Sequence, residues 1–149
     1  SGSAVENGLK SLRSAKSSAQ VVTLSNNAST GFIKGLGEHA RGVVVTQVFP
    51  NERAINYRFV KEAQDMLRDG KAAAELSPAM LEGFAAAKVL VEALRRAGSN
   101  PNRAKIQAAL EGIRNFDLGG LEVNFSPTDH TGLDFADLSI IGADGKFKR

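Results

Sequence analysis

The stretch that most constrains this chain is Gly42-Val43-Val44-Val45-Thr46, a nearly uniform β-branched run. A strand with water on one face alternates apolar and polar residues, whereas a strand covered on both faces need not. This run therefore reads as a buried strand. Upstream, Gln20 to Leu24 is a short strand candidate that ends at the polar group Ser25-Asn26-Asn27. A helix from about Ala28 to Leu36 is predicted between the two strands, with Asn27 as N-cap and Gly37 as stop signal. Strand, helix and strand at this spacing mark a parallel α/β layer. A further helix, Val5 to Lys16, precedes them with Val5, Leu9 and Leu12 on one face.

Pro50 closes the second strand, and helical periodicity resumes. Ile55 to Asp69 carries Phe59, Ala63, Met66 and Leu67 on one stripe. The next helix is the best punctuated. Ser77 suits the N-cap, Pro78 the first helical position, Arg95 and Arg96 the negative end of the dipole, and Gly98 the stop. Its stripe Phe84, Ala87, Val91 and Leu94 is expected to face the core. A third helix starts near Asn100-Pro101 and carries Ile106, Ala109, Leu110 and Ile113. After Gly119-Gly120 the period changes to two, with Leu121, Val123 and Phe125 on one side of a half-buried strand. Ser126 to Gly132 reads as a polar loop and Asp134 to Ile141 as another strand. Asp144-Gly145 then turns the chain into a last short strand, Lys146 to Lys148.

Composition excludes more than it assigns. The chain has 149 residues, 42% of them hydrophobic, enough for a sizeable core. Its 19 basic and 16 acidic residues are interspersed, and with one Tyr and no Trp to stack on bases a nucleic-acid partner is not expected. The absence of cysteine removes disulfides, thiolate metal sites and a Cys nucleophile. No apolar stretch is long enough to cross a bilayer. Ser1-Gly2-Ser3 has the character of a cut end, with no signal-peptide pattern.

Four segments, in order, resemble the Leu/Ile/Val-binding-protein family of type I periplasmic receptors. The first is Gly42-Val43-Val44-Val45-Thr46-Gln47-Val48-Phe49-Pro50. The second is Leu81-Glu82-Gly83-Phe84-Ala85-Ala86-Ala87, running into Val91-Glu92-Ala93-Leu94-Arg95-Arg96-Ala97-Gly98. Phe125-Ser126-Pro127-Thr128-Asp129-His130-Thr131-Gly132 and Asp144-Gly145-Lys146-Phe147-Lys148-Arg149 complete the set. The resemblance implies an α/β chain with part of the type I periplasmic-binding-protein fold: parallel α/β layers and an antiparallel hairpin ending. In that family two lobes joined by three crossings enclose a ligand. Residues 1–48 and 136–149 would belong to the second lobe and residues 49–135 to the first, with Gln47 to Pro50 and Asp134 to Leu138 as crossings. The amino-terminal half of such a receptor has no counterpart here. A lone copy is therefore expected to expose apolar surface and to recruit a second copy or a missing half.

The resemblance also selects candidate ligand residues, each with a plainer reading beside it. Ser25, Asn26 and Asn27 follow a strand at its carboxyl end, where open α/β sheets bind ligands, yet they also fit an Asx turn capping a helix. Family members that bind amino acids often place an acid there for the ammonium group. These residues are neutral, so the ammonium is gripped elsewhere or the ligand lacks one. Gln47 and Phe49 could face the ligand, or simply end a strand and pack. Glu82 and Phe84 would lie near the cleft mouth; otherwise Glu82 complements the helix dipole and Phe84 is core, the favoured account.

Nothing in the motifs speaks for catalysis, a metal or a cofactor. His130 has Asp129 and Asp134 near it in sequence, but neither it nor His39 has metal-ligand spacing, and a polar loop explains it. No nucleophile elbow or phosphate loop is present. The expected function is an extracytoplasmic solute receptor of an ABC importer, with a small amino-acid-like or carboxylate ligand and a membrane permease as partners. Two alternatives are an intertwined assembly module that binds nothing small and a sensor domain of the same fold. The hairpin ending favours the importer protein over the sensor.

Overall fold

The computed structural model describes residues 2–27, 29–70 and 75–148, so Ala28, expected to begin a helix, and the terminal Ser1 and Arg149 lie outside the described residues. The chain divides into two compact units. The first comprises Ser1–Asn51, Ser77–Ala79 and Phe135–Arg149, and the second Glu52–Leu76 and Met80–Asp134.

The first unit is built on a four-stranded sheet in the order β1-β2-β6-β7, with β1 at Val22–Thr23, β2 at Val44–Gln47, β6 at Asp137–Ile141 and β7 at Phe147–Lys148. β1 and β2 run parallel (Val22 beside Val44, Thr23 beside Val45), joined by the helix expected from their spacing. β6 is antiparallel to β2, pairing Val44 with Ile140 and Gln47 with Asp137, and β7 is antiparallel to β6. The parallel layer is thus confined to one strand pair.

Local chemistry sets the boundaries of the helices. Helix α1, Gly2–Ser14, stops earlier than its periodicity suggests because Lys16 turns left-handed at φ 58°. The Ser17 N–H then reaches the Leu12 carbonyl and the Lys16 N–H that of Arg13, closing the helix in a Schellman arrangement. Helix α2, Thr30–Leu36, is capped by Ser29, whose hydroxyl accepts from the Phe32 N–H at 3.1 Å. The expected cap, Asn27, instead donates its side-chain amide to the Thr23 hydroxyl at 2.9 Å. Gly37 ends α2 at φ 57°, a left-handed conformation natural to glycine.

One face of this sheet is covered. Leu9 and the α2 residues Phe32 and Leu36 pack with Ala40, Val43, Val45, Ile141 and Phe147, and Val5, Val21 and Ile33 lie against them. The opposite face is open to solvent: Val22 is 58% exposed, Leu138 59% and Ile140 40%. The β-branched run around β2 is therefore buried on one face only, with Val44 and Thr46 half-buried on the other.

In the second unit, helices α3 (Arg58–Asp69), α4 (Pro78–Ala97, counted here from Met80) and α5 (Arg103–Glu111) accompany a three-stranded antiparallel sheet. Its strands are β3 (Phe116–Asp117), β4 (Glu122–Ser126) and β5 (Asp129–Leu133), in the order β3-β4-β5. Phe59, Val60, Ala63, Leu81, Ala85, Ala93, Ile113, Leu118, Leu121 and Val123 are buried.

Several expectations change in this unit. α4 buries Leu81, Ala85 and Ala93, whereas Val91 and Leu94 of the expected core stripe are 48% and 39% exposed, and Ala87 is exposed too. An alanine-rich helix offers more than one apolar stripe, and packing chose another. α5 starts at Arg103 behind Asn102, whose side chain caps the Lys105 N–H at 2.9 Å; Ile113 is wholly buried but lies beyond the helix. The polar loop Ser126 to Gly132 is largely strand, with β5 folding back on β4. The strand expected from Asp134 begins at Asp137.

Candidate functional site

The carboxyl ends of β1 and β2 in the first unit gather the polar groups from which a site can be built. β1 ends at Thr23 beside Val45 while β2 runs on to Gln47, so the turn Ser25–Asn27 follows β1 at the carboxyl end of the parallel pair, against β2. Ser25, Asn26 and Asn27 form a single 3-10 turn directly after β1. Ser25 and Asn27 are half-buried, and the Asn26 side chain lies outside the described residues. The Asn27 amide holds the Thr23 hydroxyl, so the turn is tied to the last residue of its strand.

Gln47, the last residue of β2, is only 5% exposed. Thr23 and Ser139, 7% and 3% exposed, belong to the same side of the sheet, since Thr23 lies beside Val45 and Val45 beside Ser139. A row of buried neutral polar side chains thus leads up to the strand ends. Such groups persist in a fold when hydrogen-bonded, and no buried side-chain polar atom among the described residues lacks a partner. Phe49 is half-buried just beyond β2.

Sequence reasoning missed the acid at this end of the sheet. Asp137 is paired with Gln47 across β2 and β6, and its Oδ1 accepts the Leu138 N–H at 2.8 Å. Ninety residues separate it from Gln47 in the chain, and only the antiparallel register brings the two together. No local pattern signals that pairing.

Glu82 and Phe84 belong to the second unit. Glu82 is exposed on α4. Phe84 is half-buried rather than core, its ring 5.3 Å from that of Phe59 with 32° between their planes, and the Lys88 ammonium lies 5.4 Å from its centroid. Lys88 is held there by Glu62 at 2.5 Å. Phe84 also lines an apolar groove with Ala63, Met66, Leu67, Leu76 and Met80.

Each of the two histidines approaches an acid. His130 approaches Glu111 at 3.5 Å and His39 lies 3.9 Å from Glu38. Among the described residues no group of three or more His, Cys, Asp or Glu is placed to hold an ion. Asp129, beside His130, spends its carboxylate on the hydroxyl and N–H of Thr131, which hold its pKa below the usual carboxylate value. Among the described residues no helix is long and apolar enough to cross a membrane.

Comparison with known proteins gives this geometry its context. Among curated proteins, none matches in sequence. A possible leucine/isoleucine/valine-binding protein from Rhodopirellula baltica superposes with a TM-score of 0.86 at 28% identity, covering 97% of this chain and 40% of that one. A substrate-binding periplasmic protein from Ralstonia solanacearum gives a TM-score of 0.82 at 31% identity, covering 95% of this chain and 41% of that one. A branched-chain amino acid ABC transporter protein from Thermus thermophilus, solved with bound valine, shares the fold at a TM-score of 0.75 and 20% identity, covering 97% of this chain and 41% of that one. The chain therefore spans about 40% of the length of these relatives. The periplasmic binding protein family model matches residues 1–138, and the chain belongs to that family.

Proposed function

We propose that this chain serves an extracytoplasmic receptor that captures a small polar or carboxylate solute for an ABC importer of the branched-chain amino acid type. The observation that carries this reading is the placement of the turn Ser25–Asn27 and of Gln47 at the carboxyl ends of two parallel strands. Open α/β sheets bind ligands at that end. The family match and the valine bound to the Thermus thermophilus relative support it.

In this reading Ser25, Asn26, Asn27, Gln47 and Phe49 contact the solute from one lobe, formed by residues 1–48 and 136–149. Residues 49–135, with Glu82 and Phe84, form the other lobe. The loaded receptor docks on a membrane permease, and no bond is made or broken. Thermal-shift measurements on the chain with amino acids, keto acids and aromatic acids test the proposal, because a ligand that binds the native form raises its melting temperature. At least one compound should do so in a saturable way. A folded chain indifferent to all of them would sink it.

A second reading, self-association, is favoured by the open face of the four-stranded sheet, where Val22, Leu138 and Ile140 meet solvent. All-parallel sheets carry cover on both faces, and this sheet keeps one parallel pair, β1 with β2. Light scattering should give a mass above that of one chain, falling on dilution. A monomer at every concentration would rule this reading out.

A further inference from the structure

We propose that the apolar groove of the second unit is an oxidation site, where a hydroperoxide converts Met66 and Met80 to sulfoxides and turns the groove polar while the fold persists. The sequence holds two methionines and no cysteine, so these thioethers are its only sulfur atoms. Both line one groove. Ala63, Met66 and Leu67 stand three and four residues apart on α3 and so share a face, as Met80 and Phe84 do on α4. Leu76 completes the lining of a cavity of about 260 Å³. Exposure divides that lining. Ala63 is buried and Leu67, Leu76 and Phe84 are half-buried, whereas Met66 is 59% exposed and Met80 36%. The Phe84 ring packs near Phe59 at 5.3 Å with the Lys88 ammonium at 5.4 Å, which leaves the methionines as the adaptable members at the rim.

A thioether inside a core is shielded from a dissolved oxidant, and its sulfoxide would disrupt the packing. At the rim of this groove the oxidant reaches both side chains, and each new S–O dipole can point to water. The chemistry is a simple oxygen transfer. The sulfur gives an electron pair to one peroxide oxygen, the S–O bond forms as the O–O bond breaks, and the transferred hydroxyl passes its proton to the departing oxygen. The thioether becomes a sulfoxide, while hydrogen peroxide leaves as water and an alkyl hydroperoxide as an alcohol. Each sulfoxide sets a polar acceptor where a flexible apolar side chain stood. One sulfur lies on α3 and the other on α4, so both walls change together. With no thiol in the sequence to intercept the oxidant, its sulfur chemistry falls on this groove alone.

Dilute hydrogen peroxide on the folded full chain, followed by mass spectrometry of its peptides, tests the site. Both methionines should gain one oxygen at rates within about tenfold of those in the guanidinium-unfolded chain. The circular dichroism spectrum and a cooperative melt should survive the treatment, and methionine sulfoxide reductases for the two epimers should restore the starting mass. Fluorescence of the dye anilinonaphthalene sulfonate reads the polarity of the groove, and oxidation should lower it on the order of twofold. The Met66→Leu, Met80→Leu double variant keeps the apolar volume without sulfur, so peroxide should leave its dye signal unchanged. Protection of either methionine by more than about tenfold on folding, or a chain that unfolds once oxidised, overturns the proposal. So does a dye signal that peroxide leaves unchanged in the parent, or lowers equally in the double variant. If the double variant does not fold, the mass and melting measurements on the parent still decide.

Discussion

On the covered side of the first unit's sheet, contact is apolar and continuous, with Leu9, Phe32 and Leu36 of the helices meeting Val43, Val45, Ile141 and Phe147. The second unit's sheet is tied in another way. Asp117 accepts the N–H groups of Gly119 and Gly120, Arg114 donates to the carbonyls of Ile113 and Phe125, and Asn124 accepts from the Asn115 N–H. The four-stranded sheet therefore depends on side-chain volume. The three-stranded sheet depends on a few donors, acceptors and glycines held in place. Loss of volume should damage the first and changes of backbone or charge the second, and their costs should differ in size.

The largest effect expected is at Phe32. Truncating this side chain, 5% exposed at the centre of the covered layer, leaves a cavity and should cost about 3–5 kcal/mol in denaturant unfolding. Leu138→Ala on the open face of the same sheet removes a side chain that is 59% exposed and should cost no more than about 0.5 kcal/mol. A loss at Leu138 rivalling that at Phe32 would show that the open face is covered in solution, and would turn attention to self-association.

Glycine substitutions probe the second unit. Gly119 has φ 124°, and a Cβ there would sit 2.6 Å from the Phe59 backbone nitrogen, whose N–H donates to the Gly119 carbonyl. Gly119→Ala must therefore strain its own backbone and push β3 and α3 apart, at a cost on the order of 2 kcal/mol. Gly83 is the control. It lies inside α4 with nothing within 4 Å of a built Cβ, so Gly83→Ala should stabilise by about 0.5–1 kcal/mol. If both changes were neutral, the claim that this sheet hangs on backbone placement would be wrong.

These contrasts also mark what could be read in the sequence. The β-α-β start, Pro78 at a helix start, the stops at Gly37 and Gly98 and the Asp144-Gly145 turn all rest on local chemistry, and all were legible. β5 was not. Asp129-His130-Thr131-Gly132 lacks apolar alternation and becomes a strand through pairing with β4, where Gly132 leaves room for the Phe125 ring. The buried face of α4 was equally hidden, since alanines fill several of its stripes. At the strand ends, the position of Ser25, Asn27 and Gln47 followed from where the strands stop. Asp137 required a register that joins distant parts of the chain, and helix-capping rules alone could not separate Asn27 from Ser29 once Thr23 competed for Asn27.

Helix caps should rank below both core and glycine changes. Asn102→Ala removes the acceptor for the Lys105 N–H in the second unit, and Ser29→Ala removes that for Phe32 in the first. Each should cost about 1 kcal/mol. The comparison sharpens if the Ser29 change costs more, because α2 lies on the apolar layer and a frayed start would loosen Phe32. Asn102 stands on an exposed helix with no buried residue. Similar midpoints for the two variants would mean that the covered layer tolerates local fraying.

The smallest effect expected is the pH response of Asp117. Hydrogen bonds from the Gly120 and Gly119 N–H groups, and then the Arg58 guanidinium at 2.6 Å, hold its carboxyl below the ordinary value. A pKa depressed in the folded state means that the ionised form favours folding. Its contribution is fully present above the unfolded value near 3.8 and fades as pH falls through the lower folded value. The Asp117 side chain is 54% exposed and that of Arg58 72%, so solvent screens the pair and the effect should fall below that of a lost cap. Denaturant midpoints of the parent and Asp117→Asn, measured from neutral pH downward, should differ in favour of the parent and converge below the ordinary carboxylate range. A constant gap would assign the difference to hydrogen-bond geometry rather than charge. The second sheet would then owe its stability to the shape of its turn alone, and the contrast with the apolar layer of the first would be one of backbone against side chain.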